Sequence, residues 1–102
     1  MSTRLEQLTQ LHQADPTDPF CTYGIALEHA KASDRDEAIQ WLDKTLELDA
    51  HYCYAFYQKA RILFEHGDTE GARNVLESGM AAARSCNDEH ALSEMDELLQ
   101  TL

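Results

Sequence analysis

Displaced by 34 residues against itself, the chain matches Tyr23 with Tyr57, Ala26 with Ala60, Asp34 with Asp68, Ala38 with Ala72 and Leu42 with Leu76. The matches are few, but their chemistry is selective. Small residues return where two elements must approach closely, an aspartate returns between them, and a leucine returns on the opposite side. A period of this length marks a supersecondary unit that cannot bury its apolar face alone and is therefore copied along the chain.

The unit is helical. Few residues speak for strands, and apolar positions recur at threes and fours throughout. Leu5, Leu8 and Leu11 stripe a first helix, opened by Thr3-x-x-Glu6, a capping box whose side chains satisfy free amides. The segment DPTDPF (15–20) holds both prolines of the chain. Pro16 biases Asp15 away from helical geometry and closes helix 1, while Asp18 caps a second helix and Pro19 sits in its first turn, where a missing N–H costs nothing. The spacing predicts helices over about 19–32, 35–48, 53–66, 69–85 and 88–101. Asp34, with Glu37 three residues on, reads as a cap for the third helix; Asp68 reads as a cap for the fifth, after Gly67 at positive φ.

With these residues in place, the sequence resembles the tetratricopeptide-repeat (TPR) family, whose 34-residue pattern is W-x2-L-G-x2-Y, then A-x3-F, then P. The corresponding positions are Thr22, Ile25, Ala26, His29, Ala38, Leu42, Thr45 and Ala50 in one unit, and Phe56, Lys59, Ala60, Leu63, Ala72, Leu76, Gly79 and Arg84 in the next. EAIQWLDKTLELD (37–49) is the strongest single match. The closing proline is absent from both units, and Lys59 stands where an apolar residue is usual. The resemblance implies an all-α, TPR-like α-α superhelix of stacked antiparallel helix hairpins, about six helices in one domain: a half-repeat helix over 1–18, repeats over 19–52 and 53–86, and a C-terminal capping helix over 87–102. Asp88, Glu89, Glu94, Asp96 and Glu97 read as the polar outer face that such an end needs.

It also implies a binding role. The inner face of such an array is lined by the first helix of each pair, which here presents Phe20, Tyr23, Leu27 and Ala30, then Tyr54, Tyr57, Arg61 and Phe64, with Ala91, Met95 and Leu98 added by helix 6. Phe20, Tyr23, Leu27, Tyr54, Tyr57, Arg61 and Phe64 are the candidate peptide-binding groove. Rings give large contact area with few rotors, and Arg61 suits a carboxylate or a ring face. The expected function is a non-catalytic module that binds a peptide or protein segment; the alternative is a self-associating protein that buries the same stripe in a homodimer.

Charge shapes the choice of partner. Nineteen acidic residues against eight Lys and Arg give a formal net charge of −11. Nucleic-acid backbone and anionic membrane are repelled by such a chain, and a segment with basic and apolar residues is favoured. No apolar run approaches the roughly 20 residues of a membrane span, and the first residues lack the apolar core of a signal peptide. Cys21, Cys53 and Cys86 are odd in number and lack CxxC spacing, which favours free thiols in a reducing cytoplasm.

The chain has no Gly-rich phosphate loop, HExxH or GxSxG, so no enzyme, catalytic residue or cofactor is expected. His51 with Cys53 and Cys86 with His90 carry metal-ligating types at successive seams. Seams one helix layer apart lie about 10 Å from each other, against zinc–ligand distances of about 2.0–2.3 Å, so no metal is expected either.

Overall fold

A computed structural model of the chain describes residues 3–102, with the side chain of Thr3 outside that description. The capping box expected at Thr3 and Glu6 therefore turns on a side chain outside the described residues. Six helices follow one another: α1 (Thr3–Ala14), α2 (Pro19–Lys31), α3 (Arg35–Leu48), α4 (Cys53–Glu65), α5 (Thr69–Ser85) and α6 (Glu89–Thr101). No strand occurs among the described residues, and none of the helices is long and apolar enough to cross a membrane. The helices gather into two compact units, Met1–Asp49 and Ala50–Leu102.

Three of the helix junctions share one local device. Ser33, Gly67 and Asn87 each take a left-handed conformation, with φ of 61°, 87° and 58°. In each case the following aspartate folds its amide back across the ended helix: Asp34 N to His29 O at 2.9 Å, Asp68 N to Leu63 O at 2.9 Å, Asp88 N to Ala83 O at 2.8 Å. This is the Schellman closure, which satisfies a carbonyl that the helix end would leave open. Two of the aspartates then cap the next helix, Asp68 accepting from Gly71 N at 2.8 Å and Asp88 from Ala91 N at 3.0 Å. At Asp68 and Asp88 one residue thus stops a helix with its backbone and starts another with its side chain.

Asp34 departs from this. It makes no side-chain cap bond; its carboxylate lies 3.5 Å from His29 Nδ1 instead. The expected capping box at Asp34 and Glu37 is corrected accordingly: an imidazole at the end of α2 competes for the same oxygen.

In the first unit, Asp18 caps α2 by accepting from Phe20 N at 2.9 Å, with Pro19 as the first helical residue. Asp15 accepts from the Thr17 hydroxyl at 2.7 Å and from its amide at 3.2 Å, and these bonds hold its carboxyl below the ordinary range. The core is Leu8 from α1, Ile25 and Ala26 from α2, and Ala38 and Leu42 from α3, all buried. Gly24 allows α1 to sit close: a Cβ there would meet the Leu8 methyls at 3.0 and 3.1 Å.

Thr22 and Thr45 fall at helix-contact positions and are fully buried, their hydroxyl oxygens 2.7 Å apart. Pro19 O lies 3.0 Å from Thr22 Oγ1, and Trp41 O lies 2.8 Å from Thr45 Oγ1. Two hydroxyl protons serve three contacts, so one of the three always goes without a proton. Each of Thr22→Val and Thr45→Val leaves the other threonine its own helix carbonyl, and should cost only about 1 kcal/mol. The double variant should cost less than the sum by roughly 0.5 kcal/mol, because the bond between them can be lost only once. Urea unfolding of the four proteins measures this; strictly additive losses would show that the two hydroxyls do not interact.

In the second unit, Ala60, Ala72, Leu76, Met80, Ala83, Ala91 and Met95 form one cluster with Cys53, and Phe56, Leu63, Val75, Leu92 and Leu99 pack half-buried against it. α6 packs on both α5 and α4. Ala91 and Met95 are 1% and 0% exposed, which corrects their expected place on a binding face: they are core. Gly79 lets this three-helix packing close, since a Cβ on it would stand 2.6 Å from both Phe56 Cβ and Met95 Sδ.

Candidate functional site

Spacing of three and four along α4 puts Tyr54, Tyr57, Arg61 and Phe64 on one side of the helix. Tyr54 and Tyr57 meet edge to face, with ring centroids 6.5 Å apart and planes at 74°. Both, with Phe64, are half-buried against the core of the second unit rather than standing free. Arg61 is exposed and reaches Glu65 at 3.7 Å, one helical turn away. Lys59, at a position usually apolar, is half-buried.

Between α4 and α6 lies an open groove of about 400 Å³, lined by Tyr57, Glu94, Glu97, Leu98 and Thr101. Four of the five residues come from α6, at steps of three and four, so one face of that helix forms the wall opposite Tyr57. Glu94 accepts from His90 Nε2 at 2.7 Å, and the His90 ring lies 6.4 Å from that of Tyr54. The lining holds two carboxylates and no cationic side chain. It offers a ring face and a leucine for apolar contact, with negative charge on the same wall.

Of the residues picked out from sequence, Tyr57 lines this groove, Tyr54 and Phe64 pack half-buried against the core without lining it, and Arg61 is exposed on α4. The remaining candidates lie in the other unit: Phe20 on the first turn of α2, 58% exposed, with Tyr23 and Leu27 half-buried further along. Glu94 and Glu97, expected on a polar outer face, are half-buried and exposed respectively, and both line the open groove with Tyr57 and Leu98.

The cysteines depart from expectation as well. Cys53 and Cys86 are the first and last residues of the same helical pair rather than members of separate layers, and their sulfurs are 4.0 Å apart. Neither histidine joins them in a ligand set: no group of three or more His, Cys, Asp or Glu side chains converges among the described residues. Cys21 is buried, its thiol 3.8 Å from Asp18 Oδ2, and desolvation together with that carboxylate raises its pKa.

Helical pairs joined by Schellman turns, with alanines fully buried at the crossings and an echo at 34 residues, define a protein of the α-hairpin repeat class. The comparisons narrow this. No protein-family model matches the chain. It is 29% identical over 98 residues to a TPR repeat-containing protein of Pseudomonas aeruginosa, covering 96% of this chain and 93% of that one. It is 38% identical over 72 residues to cell division cycle protein 27 homolog A of Arabidopsis thaliana, of which the match spans only 10%, and 71% of this chain. Among solved structures, a tetratricopeptide repeat domain protein from Salinibacter ruber superposes with a TM-score of 0.79 at 26% identity, over 85% of this chain and 88% of that one. The TPR2B domain of yeast Sti1, solved in complex with pHsp70, superposes with a TM-score of 0.87 at 22% identity, over 94% of this chain and 77% of that one. The chain is a small TPR-like protein with an all-α fold.

Proposed function

We propose that this chain is a protein-interaction module that binds a peptide or protein segment carrying both apolar and basic side chains, and that the groove between α4 and α6 is its principal contact. The groove itself carries this reading: Tyr57 and Leu98 beside Glu94 and Glu97, in a space of about 400 Å³. An apolar anchor takes the ring and leucine, while a lysine or arginine takes the carboxylates and the face of Tyr57. The solved TPR2B domain in its pHsp70 complex supports the reading, as a related fold holding a protein partner. The module acts in a reducing cytoplasm and works by binding rather than by chemistry.

The test uses a fluorescent peptide of alternating leucine and lysine and its leucine–glutamate counterpart. The cationic peptide should bind at least about ten times more tightly at low salt, and the gap should narrow as ionic strength rises. Equal binding, or preference for the anionic peptide, would end this reading. The second reading, a homodimer, draws on Phe20, which leaves 58% of its surface to solvent. Sedimentation at micromolar protein decides it: a strict monomer removes it.

A further inference from the structure

The sulfurs of Cys53 and Cys86 lie 4.0 Å apart where the start of α4 meets the end of α5, and the two residues are 33 positions apart in sequence. Neither is in a disulfide. They differ in access, since Cys53 is 4% exposed in the core at the start of α4, whereas Cys86 is exposed as the C-cap of α5. A disulfide needs a sulfur–sulfur separation of about 2.05 Å, so closure requires a further approach of about 2 Å. The end of α5 can supply it, because Cys86 has left the helix and is followed by the left-handed Asn87 at the turn.

We infer that Cys53 and Cys86 are a paired, oxidisable dithiol that closes into an intramolecular disulfide in response to a hydroperoxide, with Cys86 reacting first and Cys53 resolving it. In the first step the Cys86 thiolate attacks one peroxide oxygen; the S–O bond forms, the O–O bond breaks, and hydroxide leaves. In the second, the Cys53 sulfur displaces hydroxide from the Cys86 sulfenic acid, and its proton goes to the departing oxygen as water. Two thiols and one hydrogen peroxide give one disulfide and two waters, with two electrons passing to the peroxide. The buried position of Cys53 leaves it shielded from the oxidant yet in contact with the sulfenic acid, the arrangement that favours a disulfide over further oxidation. The cross-link joins the start of α4 to the end of α5 and closes a long loop in the unfolded chain. The inference does not rest on the binding reading.

The experiment treats the reduced full-length chain with a few equivalents of hydrogen peroxide. The product is then unfolded, alkylated with N-ethylmaleimide and weighed intact. The expected product is a monomer about 2 Da lighter than the reduced chain before labelling, with alkylation at Cys21 alone. Dithiothreitol should restore alkylation at all three cysteines. The oxidised form should melt roughly 10 °C higher than the reduced one. Cys21→Ser should close in the same way. Cys86→Ser replaces an exposed residue, so the chain should keep its circular dichroism spectrum while Cys53 stays open to alkylation. Retention of three alkylation sites after peroxide would overturn the inference. So would sulfinic acid on Cys86 with Cys53 still free, or disulfide-linked dimers as the main product.

Discussion

Replacing Gly79 with valine should lower the melting temperature of the protein by roughly 10–20 °C, the equivalent of about 2–3 kcal/mol in a chain of this size. Gly79 is buried on α5 where α4 and α6 both press against it, and even one added carbon would stand 2.6 Å from Phe56 Cβ and from Met95 Sδ. The methionine has rotors to spend, although it is fully buried. The Phe56 Cβ has none, because it is fixed to the backbone of α4, so the helix itself must retreat. Valine adds two further methyls to that clash, against which its better helix propensity returns only a few tenths of a kcal/mol. Gly24→Ala is the internal comparison. Its added carbon meets only the ends of the Leu8 side chain, at 3.0 and 3.1 Å, and it gains about 1 kcal/mol of helix propensity, so its net effect should be near zero. Thermal unfolding followed by circular dichroism compares the two. Equal melting temperatures for both variants would mean that α4, α5 and α6 do not pack at Gly79 as described.

Reversing the charge of the groove wall should have the largest effect on binding. Glu94→Lys with Glu97→Lys is expected to weaken the leucine–lysine peptide about thirtyfold at low salt, close to 2 kcal/mol, and to turn preference toward the leucine–glutamate peptide. Attraction at two positions becomes repulsion, and the groove limits how far the peptide charges can move away. Glu70→Lys with Glu77→Lys makes the same change in net charge at exposed sites on α5. It should weaken binding only slightly, because those residues lie outside the groove lining. Fluorescence anisotropy at two ionic strengths reads both pairs. If the α5 pair weakened binding as much as the α6 pair, the effect would belong to overall charge and not to the groove.

Local chemistry was the most legible part of the sequence. Pro16, Asp18 and Pro19 mark the α1–α2 junction because each acts on its own backbone, independent of anything distant. The left-handed Gly67 follows from glycine's lack of a Cβ. The paired alanines at 26, 38, 60 and 72 were legible too, since only small residues let helices approach at those positions, and all four are fully buried. Asp34 shows where local rules stop: its carboxylate had a competing partner in His29, one helix earlier, that no capping pattern encodes. The left-handed Ser33 could not be read from residue type, because it is held there by the Schellman bonds around it, whereas Asn87 is of a type that takes this conformation readily.

The groove was half visible. Ring spacing on α4 singled out Tyr57, but acidic residues on α6 read equally well as a solvated face, and only the docking of α6 on α4 decides between wall and exterior. The cysteines were misplaced for a related reason. Repeat arithmetic put Cys53 and Cys86 one layer apart, whereas the first and last residues of one helical pair return to the same end of it.

The claim on which the functional account stands is that the groove between Tyr57 and the Glu94–Thr101 face of α6 receives an apolar, basic segment. Titration of isotope-labelled protein with the leucine–lysine peptide, followed by amide and side-chain NMR shifts, tests it residue by residue. Saturable shifts concentrated at Tyr57, Glu94, Glu97, Leu98 and Thr101 are the predicted result. Shifts centred on the exposed sides of α3 and α5, with those five residues unmoved, would contradict it.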